Sequence, residues 1–519
     1  MNIPFILEKA LSLYADKEAV VCGKSRFTYK QFAERVYRLA HFLRSRGVGQ
    51  GDCVAILHQN SHEFLESYFA AAQVGAILNP LNFRLSPKDL AFILQDSGAS
   101  LLIASDRFVE SVESLAEMSI DLNQVVWTGS AVEISAPFDS MHYEDALRNE
   151  KALAPPLPHV SDDDVVHLYY TSGTTGRPKG VMLSHRNVCV HALAAVAELK
   201  LGDYDNWIHV APLFHLADAW ATFAITWVGG KHILAADFDP PLVLSTIQQE
   251  QVTITNMIPT MLNMLVNTPG VETHDFSSLR AILSGGAPIA PEVVKKIMET
   301  FKCDYIQTYG MTETSPYLTV SILKENLAHL SHEEQFVYKA KTGRPFMGVL
   351  LKVVREDGTE VRADDEEVGE IVVKGDIVTR GYWKRPEETE KALRDGWLYT
   401  GDMAVVDREG YVNIVDRKKD MIITGGENVY SVEVENILYT HPSVLEAAVI
   451  GVPDPKWGEA VKAVLVLKPG ETATEEEIIQ YCKQHMARYK APKSVDFTSE
   501  LPKTGSGKIF KKGLKERYG

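Results

Sequence analysis

"YYTSGTTGRPKG", residues 169–180, follows the β-rich run "DVVHL" and crowds glycines, hydroxyl side chains and two cations into a few positions. Gly173 and Gly176 open backbone conformations closed to other residues, and successive N–H groups in such a turn form a concavity suited to phosphate oxygens. Thr171, Ser172, Thr174 and Thr175 add hydroxyl donors, and Lys179 adds a positive charge. A Walker A loop needs lysine and a hydroxyl residue directly after its last glycine; here Gly176 is followed by Arg177 and Pro178, which disfavours a kinase-type or GTPase-type P-loop. Read alone, the stretch also suits a solvated loop in front of a helix starting near Ser184.

The surrounding chain alternates between helical and strand periodicity. "FTYKQFAERVYRLAHFLRSRG" (27–47) carries apolar residues at helical spacing, whereas "DCVAILH" (52–58) and "ASLLIAS" (99–105) are short β-rich runs. That alternation predicts βαβ units, parallel sheets and helices on both faces, an α/β fold. "ALAPPLPH" (152–159) reads as a linker between subdomains. From about 340 the texture changes to short strands separated by D-G and E-G turns, as in hairpins or a small barrel. Beyond "DRKKD" (416–420) α/β alternation resumes on a smaller scale, with Thr474 and Glu477 at capping-box spacing.

Composition limits the function. A chain of 519 residues is too long for one ordinary core and predicts at least two domains. The net charge of −16 excludes a bulk electrostatic footprint for nucleic acid. Cys22, Cys53, Cys189, Cys303 and Cys482 lie far apart, with no metal-binding spacing, as expected of reduced thiols in a cytoplasmic protein. Neither a signal peptide nor a membrane span is expected.

Four further motifs accompany the opening loop: "LSGGAPI" (283–289), "YGMTETSP" (309–316), "YTGD" (399–402) with "DRKKDMIITGGENV" (416–429), and "LPKTGSGK" (501–508). In this order, across nearly the whole chain, they resemble the signature of the adenylate-forming superfamily of acyl-CoA synthetases, luciferases and peptide-synthetase adenylation domains. The resemblance implies a large N-terminal domain (1–416) of two αβ subdomains plus a β-barrel. A small mobile α+β domain (417–519) would follow, hinged near Lys419. It implies two half-reactions: a carboxylate attacks the α-phosphate of ATP to give an acyl-adenylate and pyrophosphate, then a thiol displaces AMP.

By the same resemblance, Thr171, Ser172, Gly173, Thr174, Thr175, Gly176 and Lys179 would meet the β and γ phosphates, and Thr312 the α-phosphate. Glu313 would hold Mg²⁺, which needs only one carboxylate beside phosphate oxygens and water. Gly285, Gly286 and Ala287 would leave a flat slot for adenine, with Tyr309 at the nucleotide and against the acyl pocket. Asp402 would accept from the ribose hydroxyls and Arg417 would contact the ribose. Lys508 would bridge the attacking carboxylate and the α-phosphate, which requires the small domain to close over the large one. The basic tail "KIFKKGLKER" leaves open a merely solvated Lys508.

His215 in "PLFHLADAW" falls where many acyl- and aryl-CoA ligases carry an aromatic gate, and it occupies the position at which amino-acid adenylating domains place an aspartate. An amino-acid substrate is therefore not expected, although Asp218 stands close by. Gly425 and Gly426 would line a pantetheine passage and Trp457 would stack on the CoA nucleotide, or Trp457 is a packing residue. Tyr489 and Lys493 match positions near CoA in ligases of the 4-chlorobenzoate type, but Ala491 stands where those have arginine. With eleven residues after Lys508 there is no expectation of a fused carrier domain, which favours diffusing CoA. By the resemblance, Ala219, Trp220, Phe223, Met257, Ile258, Met261, Tyr309, Met311 and Tyr317 would line the acyl pocket, an apolar lining. A hydrophobic monocarboxylate, short-to-medium or cyclic, is expected. Aryl acids of the benzoate or coumarate type, or loading of a separate carrier protein, are the alternatives. A homodimer is compatible with the family.

Overall fold

The computed structural model describes residues 1–118, 120–130, 138–171, 177–286, 289, 291–503 and 509–518. The run "DCVAILH" forms the strand Cys53–Leu57, fully buried as an all-apolar central strand should be. It lies inside a seven-stranded sheet ordered Asp139–His142, Gln124–Thr128, Ala99–Ser105, Cys53–Leu57, Ile77–Pro80, Val165–Thr171, Lys179–Ser184. All neighbours are parallel except the last pair, which is antiparallel.

A nine-stranded sheet has Asp304–Gly310, Ala281–Gly285, Ile254–Asn256, Asn206–His209, Lys231–Leu234 and Glu18–Cys22 as its parallel centre, with antiparallel edges. The helices Tyr29–Ser45, His62–Gln73, His185–Glu198 and Leu216–Val228 fill the space between these sheets. They share one apolar core with residues of both, among them Val54, Leu78, Trp207 and Leu283. Separate cores cover the outer faces. Helix Tyr29–Ser45 begins as its sequence dictates: Thr28 accepts from Gln31 N–H and the Gln31 side chain returns the bond to Thr28 N–H, a capping box.

The hairpins expected after 340 are present. Strands Leu350–Val354, Gly369–Lys374, Trp397–Val406 and Val412–Arg417 form an antiparallel meander with the short Leu393–Arg394 at its side. Gly358 and Gly410, in the D-G and E-G turns, have φ of +83° and +80°, which only glycine adopts without strain. Among the described residues no rung joins the first strand to the last, so the expected barrel is seen here as an open meander.

From Ile422 a further sheet, Glu427–Val429, Ile422–Thr424, Gly458–Leu467, Val444–Asp454 with Ser494–Phe497, surrounds an apolar core of its own. Helix Glu475–His485 opens with the Thr474–Glu477 capping box read from the sequence. No helix among the described residues is long and apolar enough to cross a membrane, and all five cysteines are unpaired.

One edge of the nine-stranded sheet is fastened by charge. Arg26 donates to Glu18 and Glu250, and Lys231 reaches Glu250 at 3.0 Å. The Arg26 bond, aided by Lys231, holds the Glu250 carboxyl down at about 2. Because that lies below the ordinary glutamate value of about 4.3, the contribution is complete above it and is lost as pH falls toward about 2. Glu250→Gln should therefore narrow the gap between thermal midpoints at pH 7 and pH 3, measured by calorimetry or circular dichroism.

Candidate active site

The opening stretch is a hairpin. Strands Val165–Thr171 and Lys179–Ser184 pair antiparallel, and their closing rung is Thr171 with Lys179. Ser172, Gly173, Thr174, Thr175 and Gly176 lie outside the described residues. The helix does begin at His185, capped by the Ser184 side chain, but a strand intervenes between it and the loop. The helix start expected near Ser184 is therefore present; the strand before it was not anticipated, and "KGVMLS" carries no helical stripe and pairs along the open edge of Val165–Thr171. The loop consequently does not open a helix, unlike a Walker A loop.

Lys179 leads away from the hairpin. Its ammonium forms an ion pair with Glu388 of the helix Pro386–Ala392 and lies 5.4 Å from the centroid of the Tyr382 ring. The Tyr382 hydroxyl donates to Glu313 Oε1 at 2.8 Å. Glu313 sits in a 3₁₀ turn, Thr312–Thr314, between the strands Asp304–Gly310 and Tyr317–Val320. The turn is tight: a Cβ on Gly310 would lie 1.8 Å from the Pro316 carbonyl oxygen, so no other residue fits there. Thr312 is partly buried beside Glu313.

Burial pushes the Glu313 carboxyl up, while a backbone N–H, the Tyr382 hydroxyl and Arg417 oppose that shift. A desolvated carboxylate with so few donors keeps its charge best beside a cation. Among the described residues no group of three or more His, Cys, Asp or Glu could cage a metal. A single carboxylate is a donor that suits an ion such as Mg²⁺, which takes one carboxylate with phosphate oxygens and water making up the rest.

Asp402 and Arg417 are register partners in the antiparallel meander. Arg417 Nε stands 3.2 Å from Asp402 Oδ1, and the Tyr309 hydroxyl donates to Oδ2 at 2.7 Å. Burial and then Asp402 push the Tyr309 phenol well up, so its hydroxyl remains a donor. Tyr309 thereby orients Asp402 with its polar end. Tyr309 lies at the end of the strand that leads into the Thr312–Thr314 turn, so its bond to Asp402 brings the Asp402–Arg417 pair to the side of the site where Glu313 stands. Lys419 is part of the same field, its ammonium pushed down by burial and then by Arg417.

Gly285 and Gly286 have local reasons for lacking side chains. A Cβ on Gly285 would meet Thr308 Oγ1 at 2.3 Å, because the Thr308 hydroxyl crosses to the Ser284 carbonyl at 3.0 Å. Gly286 has φ of +85°. Close strand approach and a left-handed turn thus demand glycine whether or not a ring lies against them. Ala287 lies outside the described residues.

His215 is the N-cap of helix Leu216–Val228, its Nδ1 accepting from Ala217 N–H at 3.1 Å. Asp218 faces the other way, fully buried, with Trp207 Nε1 on Oδ1 and His209 Nδ1 on Oδ2, each at 3.0 Å. Both carboxylate oxygens are thus committed within the core, which removes Asp218 as a partner for a substrate ammonium. Trp220 and Tyr317 form an edge-to-face pair at 5.1 Å, joined by a 3.0 Å bond from Trp220 Nε1 to the Tyr317 hydroxyl. Phe223 packs on Tyr68, Phe69 and His167 in the core between the sheets.

In the last sheet, Gly425 and Gly426 are the two central residues of a hairpin turn, with φ of +62° and +86°. That turn geometry selects glycine by itself. The Gly425 N–H donates to the Trp457 carbonyl at 2.8 Å, and the Trp457 ring lies against Gly425 while remaining 43% exposed. Tyr489 is also exposed. Lys508 lies outside the described residues. Sequence reasoning overlooked Tyr382 and Glu388, whose partners are 69 and 209 residues away, and Arg84, which lies over the rings of Phe83 and Phe214.

The similarity to known proteins runs through nearly the whole chain. The family described as AMP-binding enzyme matches residues 7–383, and the AMP-binding enzyme C-terminal domain matches 433–508. A feruloyl-CoA synthase of Amycolatopsis sp is 41% identical over 502 residues, covering 96% of each chain. A long-chain-fatty-acid–CoA ligase of Thermus thermophilus is 39% identical over 529 residues, covering 100% of this chain and 96% of its own. The crystal structure of an anthranilate CoA ligase in complex with anthranoyl-AMP superposes with a TM-score of 0.90 at 29% identity, over 100% of this chain and 97% of the other.

Gly285→Ala should force the strands Ala281–Gly285 and Asp304–Gly310 apart at their ends. The expected outcome is a lower thermal midpoint together with weakened nucleotide binding, measured by calorimetry with and without ATP. Unchanged stability would show that the Thr308 approach does not require glycine.

Proposed function

Since the chain belongs to the AMP-binding enzyme family, and within it to the AMP-forming acyl-CoA synthetases, we propose that it activates a hydrophobic monocarboxylic acid with ATP and passes the acyl group to coenzyme A. The observation that carries this reading is the convergence of Lys179, Glu313, Asp402 and Arg417 from distant segments. A triphosphate has to be met by local positive charge in a chain of net charge −16.

In this reading Thr171, Lys179 and the intervening loop hold the β and γ phosphates, with Thr312 at the α-phosphate. Bound through Glu313, Mg²⁺ would neutralise phosphate charge during attack by the carboxylate. Tyr309 orients Asp402, and Asp402 with Arg417 holds the ribose; Gly285, Gly286 and Ala287 face the adenine. Lys508 neutralises the charge that builds between the acid oxygen and the α-phosphate. We place a boundary between residues 1–416 and 417–519 with a hinge at Lys419, so that Lys508 approaches for the first half-reaction and leaves for the second. Gly425, Gly426 and Trp457, with its exposed ring, then receive CoA, and His215 controls passage between acid and thiol. Unpaired cysteines are consistent with a cytoplasmic enzyme.

The bulky aromatic side chains in the stretches expected to form the acyl pocket, Trp220, Phe223 and Tyr317, support a short-to-medium or cyclic acid. A second reading, an aryl acid, is favoured by the likeness to feruloyl-CoA synthase and to the anthranilate ligase.

Lys508→Ala should cripple acid-dependent pyrophosphate exchange by at least about 10²-fold while sparing thioester formation from preformed acyl-adenylate, as expected for a group acting in one transition state only. Equal loss of both half-reactions would overturn its assigned role.

A further inference from the structure

Tyr382 joins the two phosphate-side groups that the chain otherwise delivers separately. Its hydroxyl donates to Glu313 Oε1 at 2.8 Å, and its ring carries the Lys179 ammonium. The backbone around it is pinned to both. Tyr382 bridges Val181 in an antiparallel rung, Trp383 N–H donates to the Gly180 carbonyl at 2.7 Å, and Met182 N–H donates to the Gly381 carbonyl at 3.1 Å. On the other side Thr379 N–H donates to the Glu313 carbonyl at 2.7 Å, and the Thr379 hydroxyl to the Met182 carbonyl at 2.5 Å. Tyr382 N–H is itself satisfied by Thr389 Oγ1 at 2.9 Å. The ring therefore has little freedom to drift, and its two ends fix where Lys179 and Glu313 stand relative to each other.

We propose that Tyr382 is a positioning residue for the metal–triphosphate: its hydroxyl occupies Glu313 Oε1 and so presents Oε2 to the ion, while its ring and Glu388 hold Lys179 ready for the phosphates. The inference rests on Glu313 being the metal carboxylate and Lys179 a phosphate ligand. A carboxylate free to rotate presents either oxygen or both; one fixed by a neutral O–H donor presents a single oxygen in one direction and keeps its charge. Hydrogen bonds of this kind behind metal ligands are worth 10–100-fold in metal affinity.

The test is Tyr382→Phe, which keeps the ring and the backbone pins and removes only the hydroxyl. Mn²⁺ binding is followed by the free-ion electron paramagnetic resonance signal, with a non-hydrolysable ATP analogue present. The apparent Mn²⁺ dissociation constant should rise about 10–100-fold, with the thermal midpoint and metal-free analogue affinity close to wild type. In turnover, the Mg²⁺ concentration for half-maximal rate should rise while kcat at saturating Mg²⁺ largely recovers. Wild-type Mn²⁺ affinity in this variant, with or without a loss of thermal stability, would overturn the proposal. Glu313→Gln in the same titration separates it from its premise. If that variant binds Mn²⁺ like wild type, the metal reading itself fails. If it loses Mn²⁺ and Tyr382→Phe does not, the metal reading stands and the positioning role falls.

Discussion

The hydrogen bond from Tyr382 to Glu313, with the backbone rungs on either side of it, ties the hairpin proposed to hold the phosphates to the rest of the site. The hairpin closed by Thr171 and Lys179 stands at the edge of the seven-stranded sheet, whereas Glu313 follows a strand of the nine-stranded sheet. No rung connects the two sheets directly among the described residues. The segment from Ile377 to Thr389 spans between them: Ser315 Oγ donates to the Ile377 carbonyl at 2.8 Å, and Trp383 N–H reaches Gly180. Charge chemistry at a triphosphate depends on distances held to within a fraction of an ångström. Here those distances are set by backbone hydrogen bonds, which a ligand does not have to pay for on arrival.

Much of the architecture was legible because it is local. Helical spacing located the helix Tyr29–Ser45, short β-rich runs located the strands Cys53–Leu57 and Ala99–Ser105, and glycine after an acidic residue located the hairpin turns at Gly358 and Gly410. Helix Glu475–His485 was announced by its own cap. The strand Lys179–Ser184 escaped notice because its partner, Val165–Thr171, lies across a loop that reads as irregular. Short strands take much of their identity from such partners.

At the site, residue types were legible and their reasons were less so. Gly285 reads as an open slot in sequence, but its close neighbour is Thr308 on the adjacent strand. Gly425 and Gly426 read as a passage and are also what a two-residue hairpin turn requires. Asp218 reads as a charge near the acyl pocket and is consumed by Trp207 and His209 inside the core. Each of these contacts joins residues that no local pattern relates. The end of the meander adds another such case: Asp416 accepts from Ser431 N–H and Oγ, while Lys511 reaches Ser431 Oγ at 2.6 Å and Glu435 at 2.8 Å. These bonds join the chain on both sides of Lys419, so any rotation there has to carry them along or break them.

The central claim is that one site first makes an acyl-adenylate and then a CoA thioester. The most direct measurement is release of AMP from ATP against acids from acetate to palmitate, branched and cyclic acids, benzoate and coumarate, each with and without CoA. AMP and an acyl-CoA should appear together, with a clear optimum in the series and only when CoA is present. Pyrophosphate formation with AMP retained until a carrier protein is added, whether or not CoA is present, would contradict the assignment of CoA as acceptor.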